Sequence, residues 1–413
     1  MVRLARRHIL MGGAAAAGAH ALGAPYVRAQ AAPIKIGLMF PLSGAQASVG
    51  VPWSLGAEIA IKQMNRNGGL LGRPVEGVMR DDKGTAVGAV AAARELHSMG
   101  VNLMVGGNQS PMALGLAPLM PEFNAVLAGN ATAMSLTHET FTKHFFRINP
   151  NAHMFYGGLG QVVGAKHPDV AKWAFIVFDS AAGRDAVAAF SSGLRKSSKA
   201  KLELLEPIFA SPTAADFKVE IGNIMASGAT GLYLGLIGGP AISFLQQARS
   251  VGLLQKLAAI GEGGTDLSLG KALQKNMPGQ IWGRGYWYPN DPSFNNPISA
   301  ELYKDYVAQT GEKYPLGIAQ LGHKTAMALY HGAAKAKSIE TAAVIAAMEG
   351  LEFDSAEGRQ VIRKEDHQAI GQGHYANYSP SNDEPFYGVK EVVRLSDAEV
   401  VEPPSPGVVF KEG

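Results

Sequence analysis

The sequence contains no cysteine among its 413 residues. This absence excludes disulfide bonds, thiolate metal sites and a cysteine nucleophile, and it excludes a lipid anchor on an N-terminal cysteine. Charged residues make up only 17% of the chain against 47% apolar residues, which is typical of a folded globular protein. Beyond the first 31 residues no apolar run is long enough to cross a bilayer, so no membrane-spanning helix is predicted.

Residues 1–31 have the pattern of an export signal. Three arginines among the first seven residues precede an apolar, Ala/Gly-rich stretch from 9 to 22, and Ala29-Gln30-Ala31 has the form of a cleavage site. The pair Arg6-Arg7 is similar to a twin-arginine signal. The apolar stretch is too short to span a bilayer, so an uncleaved anchor is the less favoured alternative.

This leader also carries the apparent basicity of the chain. The whole sequence has 37 Lys+Arg and 34 Asp+Glu, and four of the arginines but none of the acids lie in the leader. The mature protein therefore has 37 − 4 = 33 basic and 34 acidic residues, a net charge of −1. Nucleic acid is excluded as a predicted partner because no basic excess remains.

Motifs for cofactor, metal or catalytic chemistry are also missing. His138-Glu139 followed by His144 does not match the H-E-x-x-H spacing of a zinc site. The stretch 264–271 is out of register for a phosphate-binding loop, and Ala272 stands in place of its Ser/Thr. No G-x-S-x-G occurs, so the sequence predicts no cofactor, no metal and no catalytic nucleophile.

What the chain does contain is two series of alternating strands and helices. In the first, strands are predicted at 34–40, 75–80 and 103–105, with helices at 51–67 and 85–98. A second series begins after Asn149-Pro150-Asn151, with strands at 173–178, 202–209, 232–236 and 257–260 and helices between them. Serial β-α-β connections of ordinary length predict an α/β fold with two doubly wound parallel sheets.

The stretch from Val101 to Thr137 is the most informative part of the first series. It contains a buried strand, a glycine turn and a helix start at Ser110-Pro111, then a second strand and a polar turn that ends in Thr132. Two turns past the carboxyl ends of neighbouring strands, each with a hydroxyl, are suited to holding one carboxylate. The alternative is that Ser110 serves only as a helix cap.

Four stretches together resemble a known family. They are IKIGLMFPLSG (34–44), GAEIAIKQMNRNGGLLGRPVEGVMRDD (56–82), GPAISFLQQARSVGL (239–253) and IRKEDHQAIGQGHY (362–375). In this order and spacing the chain from 34 to about 394 resembles the periplasmic solute-binding proteins of branched-chain amino acid (Leu/Ile/Val) ABC transporters.

The resemblance implies a type I periplasmic binding fold, in which two α/β lobes are joined by three crossovers. We expect these near 147–152, 283–290 and 353–358. The implied first lobe is 32–149 plus 287–353, and the second is 150–286 plus 354–400. The proline-rich segment 401–413 is expected to be a mobile tail. The ligand is expected in the cleft between the lobes, at the strand carboxyl ends.

The resemblance also implies ligand-binding residues. Ser110, Ala131 and Thr132 match the positions that hold the ligand carboxylate, and Glu262 matches the acid that pairs with an α-ammonium group. Asn108 and Gln109, which directly precede Ser110, are further candidates for ligand contact.

Other positions depart from the amino-acid binders. Val49 and Ile237 replace aromatic residues, and the tyrosine expected after Asp179 is missing. Asp179 stays a candidate at the end of its strand, and Trp53, Tyr286 and Trp287 are candidates for aromatic walls. An α-amino acid, an aromatic acid, a keto acid and an amide all remain open as ligands.

The predicted function is therefore an exported, non-catalytic and monomeric receptor in the periplasm that delivers a small carboxylate solute to the membrane permease of an ABC importer. The alternative is a sensor of the same fold that presents its ligand to a membrane signalling partner.

Overall fold

A computed structural model describes residues 32–264, 268–284 and 286–412. The predicted leader, residues 1–31, lies outside the described residues. Within the described ranges, no helix combines the length and apolarity needed to cross a membrane.

The first sheet is parallel and has the strand order β2-β1-β3-β4-β5. Its strands are β1 (Ile34–Phe40), β2 (Val75–Asp81), β3 (Leu103–Val105), β4 (Val126–Gly129) and β5 (Phe145–Arg147). The helices that accompany it early in the chain are α1 (Ala47–Arg66), α2 (Ala86–Ser98) and α3 (Ser110–Leu116). The strand order reverses direction between β1 and β3, which makes this the switch point of the sheet.

The second sheet has the order β16-β15-β11-β10-β9-β6-β7, and β8 also pairs with β6. Its first six strands are β6 (Lys172–Phe178), β7 (Glu203–Leu204), β8 (Ile208–Ala210), β9 (Gly231–Gly235), β10 (Ala259–Glu262) and β11 (Ile281–Arg284). The helices of this part are α4 (Gly158–Lys166), α5 (Ala181–Ser197), α6 (Lys218–Ser227), α7 (Gly239–Ser250) and α8 (Ser268–Leu273). The predicted doubly wound α/β architecture is confirmed.

After β11 the chain returns to the first sheet through α9 (Pro297–Thr310), α10 (Ala319–Ala336) and α11 (Thr341–Met348). Three short antiparallel strands follow: β12 (Glu352–Ser355), β13 (Gly358–Ile362) and β14 (Ala369–Ile370). They are followed by β15 (Gly373–Pro380) and β16 (Tyr387–Leu395), which pair antiparallel at the edge of the second sheet, and by α12 (Asp397–Val400). The second sheet is therefore mixed.

The last passage between the sheets differs from the sequence prediction. Gln368, just before β14, forms a parallel bridge with Arg147 at the end of β5. The small sheet β12–β14 thus continues the edge of the first sheet, and the chain moves to the second sheet at residues 370–373, after the predicted 353–358. The division of the chain into lobes stays a prediction.

The segment after α12 contacts the body of the protein. Glu402 is only 5% exposed, its carboxylate accepts a hydrogen bond from Asn151, and its backbone carbonyl accepts one from Arg363 Nη1 at 2.7 Å. Further along, the Gly407 N–H donates to the His138 carbonyl at 2.7 Å. The mobility of 401–413 in solution stays a prediction. The contacts of Glu402 and Gly407 would restrict such motion.

Candidate functional site

A cavity of about 450 Å³ lies between the carboxyl ends of the two sheets. Turns that follow β3, β4 and β5 form one wall, and turns that follow β6, β9 and β10 form the other. The start of α10 and one face of α1 close the remaining sides. Parallel strands bring their carboxyl ends to one edge of a sheet, so two such sheets facing each other enclose a space lined by turn residues.

Side-chain amides fix the turns at the switch point of the first sheet. Asn108 Nδ2 donates to the Met39 carbonyl at 2.9 Å, and Asn130 Nδ2 donates to Asn108 Oδ1 at 3.3 Å. The Thr325 hydroxyl in α10 donates to Asn130 Oδ1 at 2.9 Å. These buried polar groups satisfy one another's hydrogen-bonding capacity. Asn108 lines the cavity, and its side-chain amide holds the turns in place.

Ser110 lines the cavity and joins two turns. Its hydroxyl oxygen accepts a hydrogen bond from the Ala133 N–H at 3.1 Å. The residue before α3 is Gln109, whose backbone is extended, so Ser110 is the first helical residue and the cap alternative is wrong. Because the Ser110 oxygen accepts from Ala133, its own O–H can donate to a solute in the cavity.

Behind the Thr132 turn lies a buried cation that the sequence analysis did not select. Arg147 Nη1 donates to the Thr132 carbonyl at 3.1 Å, and Nη2 donates to the Thr137 hydroxyl at 2.8 Å. Burial lowers the pKa of Arg147 to about 10, so the guanidinium is still protonated at neutral pH. It fixes the turn and places positive charge behind the first wall. A lone arginine in the apolar run FFRI is the signal that could have identified it.

Tyr156 connects the two walls. It lines the cavity, as Thr132 does, and its hydroxyl donates to the Gly263 carbonyl at 3.4 Å. Burial raises the pKa of Tyr156 to about 12, so the phenol stays neutral. Tyr156 lies in a π-helical turn, His153–Gly157, directly before α4, and no sequence pattern marks that turn.

Glu262 lies at the end of β10 and is completely buried. Its Oε1 accepts a hydrogen bond from the Gly264 N–H at 2.8 Å. Gly263 and Gly264 line the cavity, whereas Glu262 itself does not. The pairing of Glu262 with a ligand ammonium stays a prediction, and the two glycines that follow Glu262 are the residues that line the cavity here.

The other predicted residues divide into two groups. Trp53, Gln109, Thr132 and Tyr286 line the cavity together with Ser110 and Asn108. Ala131, Asp179 and Trp287 do not line it. Ligand contact by any of these residues stays a prediction.

Asp179 and Trp287 have other partners. Asp179 forms an ion pair with Arg184 at 2.7 Å, and both side chains are more than half exposed. The Trp287 ring is completely buried, and its Nε1 donates to Ser299 Oγ at 2.9 Å. Trp287 therefore packs in the hydrophobic core beside α9, away from the cavity wall.

Among the described residues, those that line the cavity carry a low positive charge. Among the described residues that line it, Lys83 is the one charged side chain, and no carboxylate is present. Val49, Ile237 and Leu321 are among the apolar residues of the wall. No group of three or more His, Asp or Glu side chains among the described residues could hold a metal ion. The described part of the wall thus combines apolar residues with hydroxyl-bearing residues and Lys83.

The sequence matches the family model described as periplasmic binding protein over residues 33–381. Among curated proteins, Leu/Ile/Val-binding protein BraC3 of Rhizobium johnstonii is 35% identical over 113 residues, 27% of this chain and 30% of that protein. The chain thus spans about a third of the length of the first curated relatives it matches. Leu/Ile/Val-binding protein homolog 8 of Brucella abortus is 24% identical over 81% of this chain and 84% of that protein.

Solved structures agree with the match to this family model. An ABC-type branched-chain amino acid transporter from Rhodopseudomonas palustris is 26% identical with a TM-score of 0.73, covering 90% of this chain and 99% of that one. A solute-binding protein of an ABC transporter from Rhodopseudomonas palustris BisB5, in complex with 3,4-dihydroxybenzoic acid, has a TM-score of 0.77 at 20% identity, with 90% and 99% coverage.

Proposed function

Because the chain belongs to the periplasmic binding protein family, we propose that it is the exported substrate-binding component of an ABC importer and binds a small carboxylate-bearing solute, an amino acid or an aromatic or keto acid, between its two sheets. A membrane permease is the implied partner, and the periplasm is the implied location. No catalytic step is assigned to the chain.

The observation that carries this proposal is the polarity of the cavity wall. Ser110, Thr132 and Lys83 line the cavity, and among the described residues no Asp or Glu lines it. An anion gains hydrogen bonds and charge attraction from such a wall, because bonds to a charged group are the stronger ones. A ligand ammonium would lack an anionic partner among the described residues of this wall.

The same observation ranks the ligands that the sequence leaves open. A solute with a carboxylate and an apolar body fits both the hydroxyl donors and the apolar wall better than a solute that also carries an ammonium. A relative of the same fold is known with 3,4-dihydroxybenzoic acid, which shows that this architecture accommodates an aromatic acid. We therefore favour aromatic and keto acids over α-amino acids.

A thermal-shift screen of residues 32–413 tests the proposal. The panel pairs each acid with the amide that lacks its carboxylate charge: benzoate with benzamide, 4-methyl-2-oxopentanoate with its amide, and leucine with leucinamide. An acid at 100 times its dissociation constant adds about 2.7 kcal/mol to the free energy of unfolding. We expect the aromatic or keto acid to raise the melting temperature more than leucine does, and the matched amides not to raise it.

Two results would contradict the proposal. Equal shifts from acid and amide would show that no carboxylate is recognised. Conversion of a bound acid into a product, detected by mass spectrometry after incubation at one equivalent, would show that the protein is an enzyme.

A further inference from the structure

Three tyrosines form the part of the cavity wall around Gly263 and Gly264. Tyr156, Tyr233 and Tyr286 all line the cavity, and each is less than 7% exposed. Tyr156 donates to the Gly263 carbonyl and Tyr286 to the Gly264 carbonyl, both at 3.4 Å, which is long for a hydroxyl donor. This wall is therefore rich in phenol hydroxyls and lies opposite the Ser110 turn.

Tyr233 differs from the other two. Its side chain is completely buried, and its hydroxyl has no hydrogen-bond partner among the described residues. Burial raises the pKa of Tyr233 well above its usual value, so the group is a neutral O–H. A buried hydroxyl without a partner is rare in folded proteins, because desolvation is then not compensated.

The ring of Tyr233 has little freedom to move toward another partner. Its centroid lies 4.5 Å from that of Phe190, 5.9 Å from that of Tyr156 and 6.3 Å from that of Phe175. The residue also belongs to β9, whose backbone pairs with β6 and β10 on both sides. The hydroxyl is thus held beside the Gly263 turn, where a Cβ built on Gly263, a residue that lines the cavity, would lie 3.4 Å from it.

A second buried donor belongs to a residue of α1 that lines the cavity. Trp53 is 5% exposed, lines the cavity, and its Nε1 has no hydrogen-bond partner among the described residues. The indole N–H can only donate, so it is satisfied by an acceptor atom alone. Neither donor has an acceptor among the described residues. A carboxylate held by Ser110 and Thr132 lies at the wall opposite Tyr233, so the Tyr233 hydroxyl is left for another acceptor oxygen of the solute.

We propose that the bound solute carries, besides its carboxylate, an uncharged oxygen, a hydroxyl or a carbonyl, that accepts a hydrogen bond from the Tyr233 hydroxyl. This inference rests on the proposed function, because it assumes a carboxylate at the Ser110 turn. Tyr233 then acts as a specificity residue that selects oxygenated acids over their parent acids. Trp53 supplies a second donor to the same oxygen-rich ligand.

The experiment measures dissociation constants by titration calorimetry for parent and oxygenated acids. The probes are benzoate with its 2-, 3- and 4-hydroxy derivatives, and 4-methylpentanoate with 4-methyl-2-oxopentanoate. Each is titrated into the unmodified protein, into Tyr233→Phe, and into the control Tyr330→Phe, whose hydroxyl donates to the Gly69 carbonyl away from the cavity.

We expect at least one oxygenated acid to bind the unmodified protein about tenfold more tightly than its parent, which corresponds to one additional hydrogen bond. Tyr233→Phe should remove this preference and leave the affinity for the parent acid unchanged, whereas Tyr330→Phe should keep the preference. The ligand-free Tyr233→Phe protein should melt at the same temperature or higher, since it loses a hydroxyl that has no partner.

An unchanged preference in Tyr233→Phe, or no preference in the unmodified protein although parent acids bind, would overturn this inference and leave the proposed function intact. A lower melting temperature of ligand-free Tyr233→Phe would also overturn it, because the hydroxyl would then have a structural role. Absence of binding by every acid in the panel would overturn the proposed function together with the inference.

Discussion

Lys324 Nζ lies 2.6 Å from Glu357 Oε2, and both side chains are at most 2% exposed. Arg284 Nη2 lies 4.0 Å from the other oxygen of the same carboxylate and is equally buried. Two cations therefore share one anion at the point where β11, α10 and the β12–β13 turn meet. Burial alone would raise the pKa of Glu357, but Lys324 and Arg284 outweigh this effect and lower it.

Glu357→Gln is expected to lower the free energy of unfolding by about 3 to 5 kcal/mol, because it leaves two buried cations without an anion. Urea denaturation at pH 7 measures the change. The control is Glu352→Gln, which removes an ion pair with Arg359 in which both side chains are more than half exposed, and should cost at most about 1 kcal/mol. Equal losses in the two variants would contradict the structural role of the buried cluster.

Ser110→Ala is expected to weaken binding of the acid found in the thermal-shift screen by about 10- to 100-fold, the effect of removing one hydrogen bond to a charged group. It should also lower stability, since the buried Ala133 N–H loses its acceptor. Calorimetric titration measures the affinity. Ser98→Ala, at an exposed helix end, is the control and should change neither quantity. An unchanged affinity in Ser110→Ala would remove Ser110 from the site.

The positions that sequence patterns predicted well are those fixed by local chemistry. The strand Leu103–Val105 is confirmed with the same bounds, since a short apolar run between glycine-rich turns is read from the sequence directly. The start of α3 at Ser110 and the turn at Thr132 also follow from local signals. These two hydroxyl-bearing positions at the cavity could therefore be predicted without knowledge of the rest of the fold.

The positions that were missed depend on contacts between distant segments. Helix α4 was not predicted, and its three glycines have low helix propensity; a Cβ at Gly160 would lie 2.3 Å from the Phe190 carbonyl of α5. Close packing of two helices therefore overrides the low helix propensity of glycine. Tyr233 and Arg147 became candidates only when the assembled sheets placed them at or behind the cavity wall.

Asp82 provides a prediction about pH. Burial raises its pKa to about 6; its Oδ1 accepts from the Gly84 N–H at 2.9 Å, and its Oδ2 has no partner among the described residues. The folded state then binds the proton more tightly than the unfolded state, so this group makes stability fall as pH rises from about 4 to about 6. Asp82→Asn should be more stable than the unmodified protein at pH 7, by up to about 3 kcal/mol, and equally stable below about pH 4.

The neighbouring Asp81 gives the matched control. Burial would raise its pKa, but hydrogen bonds from the Ser43 hydroxyl and from the Lys83 and Leu42 N–H groups lower it. Asp81→Asn should therefore be less stable than the unmodified protein at pH 7, and the difference should shrink as pH falls through the pKa of the native carboxyl. Urea denaturation at pH 3.5, 5 and 7 measures both series. The same sign of change in both variants would contradict these assignments.

The contacts of Glu402 predict that the C-terminal segment contributes to stability. Glu402→Ala removes a buried carboxylate that accepts from Asn151 and should lower the free energy of unfolding by about 1.5 to 3 kcal/mol. Lys411→Ala, at an exposed position, is the control. Differential scanning calorimetry measures both. A mobile tail, as the sequence predicts, would instead give the same melting temperature for Glu402→Ala and the control.

The crossing of α1 and α10 has no room for a side chain at Gly56. A Cβ there would lie 1.7 Å from the Ala319 carbonyl oxygen, so Gly56→Ala must push the two helices apart. Overpacking of this kind costs about 1 to 3 kcal/mol of unfolding free energy. The same shift moves Trp53, one turn earlier on α1, so ligand affinity should fall as well. Gly222→Ala is the control, because Gly222 lies in α6 with no atom within 4 Å of a built Cβ, and there alanine should stabilise by about 0.5 to 1 kcal/mol.

Urea denaturation measures the stability of the two variants, and calorimetric titration measures their ligand affinity. A Gly56→Ala protein as stable as Gly222→Ala would show that α1 and α10 do not meet as closely as the structure has them.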